Sequence, residues 1–298
     1  MSLLNFSLYT RKTTYVFLHH TSLLEIYGIP SGCFIFEVVS NATMKILGLI
    51  TVRTDSSRLP QKCLLPIRGK RVIEHIIDRA KLIQGLEAVV LCTSDRKQDD
   101  ILEQIAKEKG MLFFRGSLDD KLERWRGAAE KFHADYIITL DGDDLFFDPE
   151  LIELEIKQIR ETKPDFLNIP KGLICGASEF GIKVTALQKV CQIKDTKDTE
   201  MMWVYFTDTG LFKMEDFKVE DQIFWNENVR MTLDYPEDLE FFSRIFDEFD
   251  TDINNIPLRD IMKCIGKKPE IAQINFFRQH QFLDNQKKKT HLDIKKTS

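Results

Sequence analysis

Cysteine is sparse and unpaired in this chain. Six stand among 298 residues, at positions 33, 63, 92, 175, 191 and 264, with no C-x-x-C and no metal-ligand spacing. The pattern excludes a disulfide scaffold and a structural zinc site, and the thiols read as small buried hydrophobes in a reducing cytoplasm. Long apolar runs are missing as well. Residues 35–39 are apolar but far too few to span a bilayer, which takes about 20. Nor does a basic start followed by a long apolar core mark a secretory signal. Positive charge is not in excess: 42 Lys and Arg face 47 Asp and Glu, a formal net charge of −5, and the basic residues are not gathered on one segment. That balance argues against a nucleic-acid binder. The six His have neither a triad partner nor ligand spacing, and no segment repeats.

What is present suits an enzyme. A hydrophobic fraction of 43% beside 30% charged residues supports a sizeable core, as one large α/β domain or two small ones. From Met44 onward apolar runs alternate with helical periods. Residues 46–50 read as a buried first strand, 72–82 as a helix, 88–91 as a strand and 98–109 as an amphipathic helix closed by Gly110. Then come a strand over 111–114, a helix over 118–132 and a core strand over 136–140. Asp148 is placed to cap a helix over 149–160, and 164–169 reads as a strand. Residues 171–224 lose the alternation and read as an insertion. A late strand over 230–233, a helix over 236–249 and a terminal helix over 257–265 complete the pattern. Strands separated by helices imply an α/β fold with a doubly wound, mostly parallel sheet, whose ligands sit at the carboxyl ends of the strands.

Two polar stretches at such ends carry chemistry. In the loop ITVRTDSSRLPQKCLLP, residues 50–66, Arg53, Arg58 and Lys62 stand among the hydroxyls of Thr51, Thr54, Ser56 and Ser57. Backbone N–H groups and hydroxyls can wrap polyphosphate oxygens while Arg and Lys neutralise the charge. An ordinary basic surface loop has the same composition. The second stretch, Asp141-Gly142-Asp143-Asp144, puts three carboxylates in four residues. Like charges so close repel unless a cation intervenes, and a hard divalent ion completed by phosphate oxygens is the expected answer. A capped turn is the plainer alternative. A further acidic element spans 233–239 (LDYPEDL), in which Glu237 and Asp238 fall in the first turn of a helix and read as structural.

Arg53-x-x-Ser56-Ser57-Arg58-Leu59-Pro60-x-Lys62 resembles the signature loop of the sugar-acid cytidylyltransferases, which activate Kdo, sialic acids and related acidic sugars as CMP-sugars. Within that family the group known from spore coat polysaccharide biosynthesis is the most similar. The chain departs at Gln61, where the family usually has Gly, and at Thr54-Asp55, where small or apolar residues are commoner. Residues 139–144 with 148–152 resemble the family's acidic turn and its following helix, and 233–239 resembles its late D-x-P-E-D-L motif. The three motifs keep the family's order across residues 44–281.

The resemblance implies a nucleotide-diphospho-sugar transferase (GT-A-like) fold and a Mg²⁺-dependent reaction in which CTP and an acidic sugar give a CMP-sugar and pyrophosphate. It implies Arg53 and Lys62 as the catalytic cations and Asp143 and Asp234 as the metal ligands. Ser56, Ser57, Arg58, Ser94, Asp95 and Asp120 fall around the nucleotide, although Asp120 equally suits a helix N-cap. Trp203, Tyr205 and Phe206 resemble a sugar-side aromatic segment, a pattern more often core or dimer contact. Residues 171–224 then cover the sugar, with a homodimer contact there. The expected partners are CTP and an acidic sugar, with neither nucleic acid nor membrane, in surface or spore polysaccharide biosynthesis in the cytoplasm. A GT-A glycosyltransferase would share the fold and acidic turn without needing the Ser-Ser-Arg-Leu-Pro-x-Lys loop. A non-catalytic nucleotide- or sugar-binding relative would lose the charged site residues. Residues 1–43 resemble nothing in the family and read as a disordered leader, a mis-called start or a small accessory element. Residues 44–282 are the expected nucleotidyltransferase domain, and 283–298 a frayed basic tail.

Overall fold

The computed structural model describes residues 44–295 and three short strands before them. Those strands, β1 (Tyr9–Thr10), β2 (Thr13–Val16) and β3 (Phe36–Val38), pair antiparallel in that order within a unit, Met1–Met44, distinct from Lys45–Ser298. The rest of residues 1–43, on which the expectation of a leader falls, lies outside the described residues.

In the larger unit the alternation read from the sequence builds one seven-stranded sheet. Its strands are β4 (Ile46–Thr51), β7 (Ala88–Ser94), β8 (Leu112–Gly116), β9 (Tyr136–Asp141), β10 (Phe166–Asn168), β11 (Gly181–Lys183) and β12 (Met214–Asp216). A small hairpin, β5 (Pro66–Ile67) and β6 (Lys70–Arg71), leads into α1 (Val72–Ala80). The sheet order is β12-β10-β11-β9-β4-β7-β8, with β11 antiparallel to both neighbours and every other pairing parallel. Side chains alternate across a strand. Leu47 and Leu49 of β4 therefore share one core with Leu122, Trp125 and Ala128 of α3 (Lys121–Lys131) and Leu187 of α5 (Val184–Ile193). The opposite face receives α4 (Pro149–Thr162), whose Ile159 fills the space left beside Gly181. Asp148 caps α4 by accepting from Glu150 N (2.8 Å) and Leu151 N (3.2 Å), as its position predicts.

Several elements differ from the sequence reading. Residues 171–224 are not a separate insertion: they supply β11 and β12 to the sheet, together with α5 and the one-turn α6 (Val204–Thr207). The reversal of β11 breaks the strand–helix alternation that a parallel sheet writes into a sequence. The strand expected over 230–233 is only a single bridge between Cys175 and Arg230, because its backbone bonds go to loops: Met231 N to Cys175 O (2.9 Å) and Leu233 N to Asp143 O (2.8 Å). After α7 (Pro236–Asp247) and α8 (Leu258–Lys267) the chain does not stop. It adds α9 (Glu270–Phe276) and α10 (Arg278–Lys289), so Lys287, Lys288 and Lys289 end a helix, where cations favour the macrodipole. Beyond it, Lys295 N donates to Ile193 O (2.8 Å).

Candidate active site

The two central strands end side by side. Thr51, last of β4, is paired in register with Asp141, last of β9, so the cationic loop and the acidic turn leave the sheet together. They are held in contact at Gly142, whose N–H donates to Thr51 O (2.9 Å) and where a Cβ would stand 2.7 Å from both that oxygen and Val52 Cβ. No larger residue fits there.

The loop is fixed before it reaches the site. Thr54 donates through its N–H (2.9 Å) and its hydroxyl (2.6 Å) to Asp99, so this departure from the family pattern is a buried anchor. Gln61 takes a left-handed conformation at φ 52°, the backbone that the family's Gly adopts without strain. The tight turn Lys62–Leu64 follows directly and aims the Lys62 side chain inward. Its ammonium donates to Asp143 Oδ2 (2.5 Å) and Asp234 Oδ1 (2.9 Å), while Arg58 donates to the same Asp234 oxygen (2.5 Å).

A second tier holds the carboxylates. Asp234 Oδ2 accepts from Arg230, which is fully buried and also pairs with Asp238 (3.1 Å to each). Asp238 Oδ2 in turn accepts from Asp234 N (2.8 Å) and Tyr235 N (2.9 Å). Asp238 lies in the first turn of α7, as read, and is in addition a capping residue that is completely buried and positions Asp234. Under the acidic turn, buried Glu179 accepts from Asp141 N (2.9 Å) and Thr139 (3.1 Å), and buried Glu155 accepts from Glu179 N (3.2 Å) and from Ser178.

This density of charge moves the titration of Asp234, Asp143, Asp144 and Lys62. Burial pushes Asp234 up, but Lys62 and Arg58 outweigh it and hold the carboxyl well below the usual range. Burial raises Asp143; Lys62 opposes that, while Asp234 and Asp141 reinforce it, leaving the group above the usual range. Asp144 stands well above it through burial and then Asp143 and Asp141. Desolvation works against the Lys62 ammonium, yet Asp143 and Asp234 keep its pKa raised. Lys62 therefore stands as a cation shared by two carboxylates.

These groups face a cavity of about 690 Å³. It is bordered on one side by Leu118 and Asp119, which follow β8, and on the other by Asn168 of β10 and Phe180 before β11. A cavity of this size suits a substrate-sized ligand. The residues fit a divalent ion. Asp143 and Asp234 already share one cation, and Asp144 Oδ1 is buried without a hydrogen-bond partner among the described residues. No group of three His, Cys, Asp or Glu among those residues is arranged to hold a metal by itself. Two carboxylates suffice when phosphate oxygens complete the shell, so the fit is to an ion arriving with a polyphosphate.

The family model for cytidylyltransferases matches residues 47–288. The chain belongs to that family. A cytidylyltransferase from Leptospira borgpetersenii has the same fold with a TM-score of 0.70, at 27% identity, over 77% of this chain and 97% of that one. Spore coat polysaccharide biosynthesis protein SpsF of Bacillus subtilis is 26% identical over 76% of this chain and 96% of its own length. An 8-amino-3,8-dideoxy-manno-octulosonate cytidylyltransferase of Shewanella sediminis is 29% identical over 54% of this chain and 61% of its own length. The enzyme class and the α/β fold expected from the resemblance are thereby established, and no helix among the described residues is long and apolar enough to cross a membrane.

Within this cytidylyltransferase, Arg53, Ser56, Ser57, Arg58, Lys62, Asp143 and Asp234 all border the cavity. Three other expected nucleotide contacts do not. Ser94 is buried and donates to Asp99, where it supports the Thr54 anchor. Asp95 is exposed one residue past β7. Asp120 is buried, caps α3 through Glu123 N (3.1 Å) and is bonded by Lys194 and Thr199, so both of its oxygens are engaged within the protein. Of the aromatic segment, Trp203 borders the cavity, whereas Tyr205 and Phe206 belong to the core. The sequence reading missed Glu200, Arg230 and the whole of α10, whose Gln279, Phe282, Leu283, Gln286 and Lys289 border the same cavity.

Proposed function

We propose that this enzyme transfers the cytidylyl group of CTP to an acidic sugar, giving a CMP-sugar and pyrophosphate with Mg²⁺ as cofactor, in cytoplasmic synthesis of surface or spore polysaccharide. The observation that carries the reading is the Lys62 ammonium set between Asp143 and Asp234 at the joint end of β4 and β9, beside Arg58. Attack by the anomeric hydroxyl on the α-phosphorus, in line with the departing pyrophosphate, needs positioning and charge neutralisation more than covalent chemistry. Arg58 and Lys62, reoriented from carboxylate to phosphate oxygens, neutralise charge on the triphosphate and on the leaving pyrophosphate. Arg53, 3.8 Å from Glu200 and donating to Leu118 O (3.4 Å), guards the nucleotide side. Asp143 and Asp234 would hold Mg²⁺, which neutralises phosphate charge and lowers the pKa of the attacking hydroxyl. The acidic sugar is supported by the octulosonate named for the Shewanella relative, and the polysaccharide route by the name of the Bacillus protein.

The test is pyrophosphate release with each nucleoside triphosphate against a panel of acidic and neutral sugars, with and without Mg²⁺. Release is expected with CTP, an acidic sugar and Mg²⁺ together. Equal release with neutral sugars, or transfer of sugar from a nucleotide-sugar donor instead, would overturn the reading.

A further inference from the structure

Helix α10 has an unusual relation to the rest of the fold. None of its twelve residues is buried, so no apolar core holds it. Its attachments are polar and lie along its length. Arg278 donates to Glu237 (2.7 and 3.1 Å), Gln279 accepts from Arg230 (3.2 Å), Asn285 donates to the Tyr235 hydroxyl (3.2 Å), and Lys289 donates to Glu200 (3.0 Å). Residues 279, 282, 283, 286 and 289 recur at helical spacing on one face, and that face borders the cavity containing Lys62, Asp143 and Asp234. On it Phe282 covers the Arg230 guanidinium at 4.2 Å, and Leu283 remains 52% exposed although it borders the cavity. A helix that packs its inner face against open space lacks the partner that would normally hold it.

The charges on that face are matched in a way that a ligand can exchange. Glu200 Oε2 lies 3.0 Å from the Lys289 ammonium and 3.8 Å from the Arg53 guanidinium. Both cations border the cavity, as does Glu200. Lys289 is 47% exposed, so its pairing with Glu200 is a weak surface bridge that an anionic oxygen can replace at little cost.

We infer that α10 is the substrate-contacting wall of the site, with Leu283 packing on bound substrate and Lys289 exchanging Glu200 for an anionic oxygen of that substrate. Its place in this reaction rests on the proposed function above. The oxygen is a carboxylate of the sugar or a phosphate of the nucleotide, and these two sources separate kinetically. Lys289→Ala should raise KM about tenfold for the one substrate that supplies the anion, leaving KM for the other within twofold and kcat within threefold. Lys289→Glu should raise it further, Lys289→Arg should stay near wild type, and all three should melt close to the wild-type temperature because Lys289 is exposed. Leu283→Asp tests the apolar contact through the same KM values.

Calorimetric titration of the full chain with CTP alone, and with the acidic sugar alone, reads the same exchange without turnover. A tenfold weakening for one ligand in Lys289→Ala and Lys289→Glu, restored in Lys289→Arg, supports the assignment. KM values and affinities within twofold of wild type for both substrates overturn it. If the wild-type chain releases no pyrophosphate with any sugar, the proposed reaction fails, and the calorimetric arm alone decides the role of Lys289.

Discussion

Lys62→Met removes one positive charge from a cluster that contains Asp143, Asp144, Asp141 and Asp234. Arg58 and Arg230 still pair with Asp234 in the variant, whereas Asp143 loses the one cation bonded to it among the described residues. Taking one partner from a fully buried pair costs about 3–5 kcal/mol. The Asp143 side chain is 25% exposed and Lys62 14%, so water recovers part of that loss, and about 2 kcal/mol is expected. For a domain of this size that lowers the melting temperature by roughly 4–8 °C. The site reading adds a second consequence. In the wild type a divalent ion must displace the Lys62 ammonium from both carboxylates; in the variant it meets Asp143 without that ammonium and Asp234 paired with Arg58 and Arg230 alone. At ten times its Kd a ligand adds about 1.4 kcal/mol of stability, so Mg²⁺ should raise the melting temperature of Lys62→Met more than that of the wild type, with EDTA abolishing the difference. Turnover should fall by on the order of a hundredfold or more, the loss typical of one preorganised charge-stabilising donor, and Mg²⁺ should not restore it. The assay is a calorimetric melt of both proteins with and without Mg²⁺, paired with pyrophosphate release. A variant melting with the wild type, or identical Mg²⁺ shifts in the two proteins, would refute the shared-cation argument.

Three other substitutions address the surroundings of the site. Asp238→Asn leaves buried Arg230 without its bidentate partner and weakens the hold on Asp234 N, so a loss of about 3–5 kcal/mol in chemical denaturation is expected, together with reduced turnover; unchanged stability would show that Asp234 and Gln279 suffice to hold the Arg230 guanidinium. Burial raises the Glu155 pKa to about 8, above the ordinary value of 4.5 that it regains on unfolding, so its contribution to stability is complete below pH 4.5 and is lost as the pH rises towards 8. Glu155→Gln should therefore flatten the stability–pH curve across that window by a few kcal/mol, with parallel curves counting against the buried acid. Gln61→Gly relieves a left-handed residue that is exposed and has no side-chain cap, and should stabilise by about 0.5–1 kcal/mol, whereas Gln61→Ala should not; equal melting temperatures for the two variants would remove the strain argument.

The parts of the fold that were legible are those in which local pattern and tertiary environment agree. β4, β7 and β9 are buried apolar runs in the middle of the sheet, and α1, α2 (Asp100–Glu108) and α4 show one apolar face to it, so period and burial point the same way. The reversed β11 did not stand out because its three residues, Gly181 to Lys183, are too few to show a period and run straight into α5. Residues 230–233 misled for the opposite reason. Arg230, Met231, Thr232 and Leu233 are all buried and three of them look like a strand, but their burial comes from loops and helices packed round Arg230, not from a sheet partner.

The same distinction explains the site. Arg53, Arg58 and Lys62 could be read because one short loop carries all three, and Asp143 because the turn beside it repeats acid. Their convergence needed no long-range guess once β4 and β9 were neighbours, since both segments leave the same edge of the sheet. Asp120 and Ser94 share the residue types and the strand-end position of the proposed ligands, yet Lys194, Thr199 and Asp99 engage their side chains; nothing local records the partners of Asp120, which lie 74 and 79 residues away in the chain. Arg230 is the reverse case. Written in sequence as one basic residue in an apolar stretch, it ties Asp234 to Asp238, Gln279 and the ring of Phe282, so the placement of a proposed metal ligand depends on a helix whose composition reads as a solvated tail. A charge that is fully buried must be paired on every side, and the residues that pair it are part of the site even when they never touch substrate.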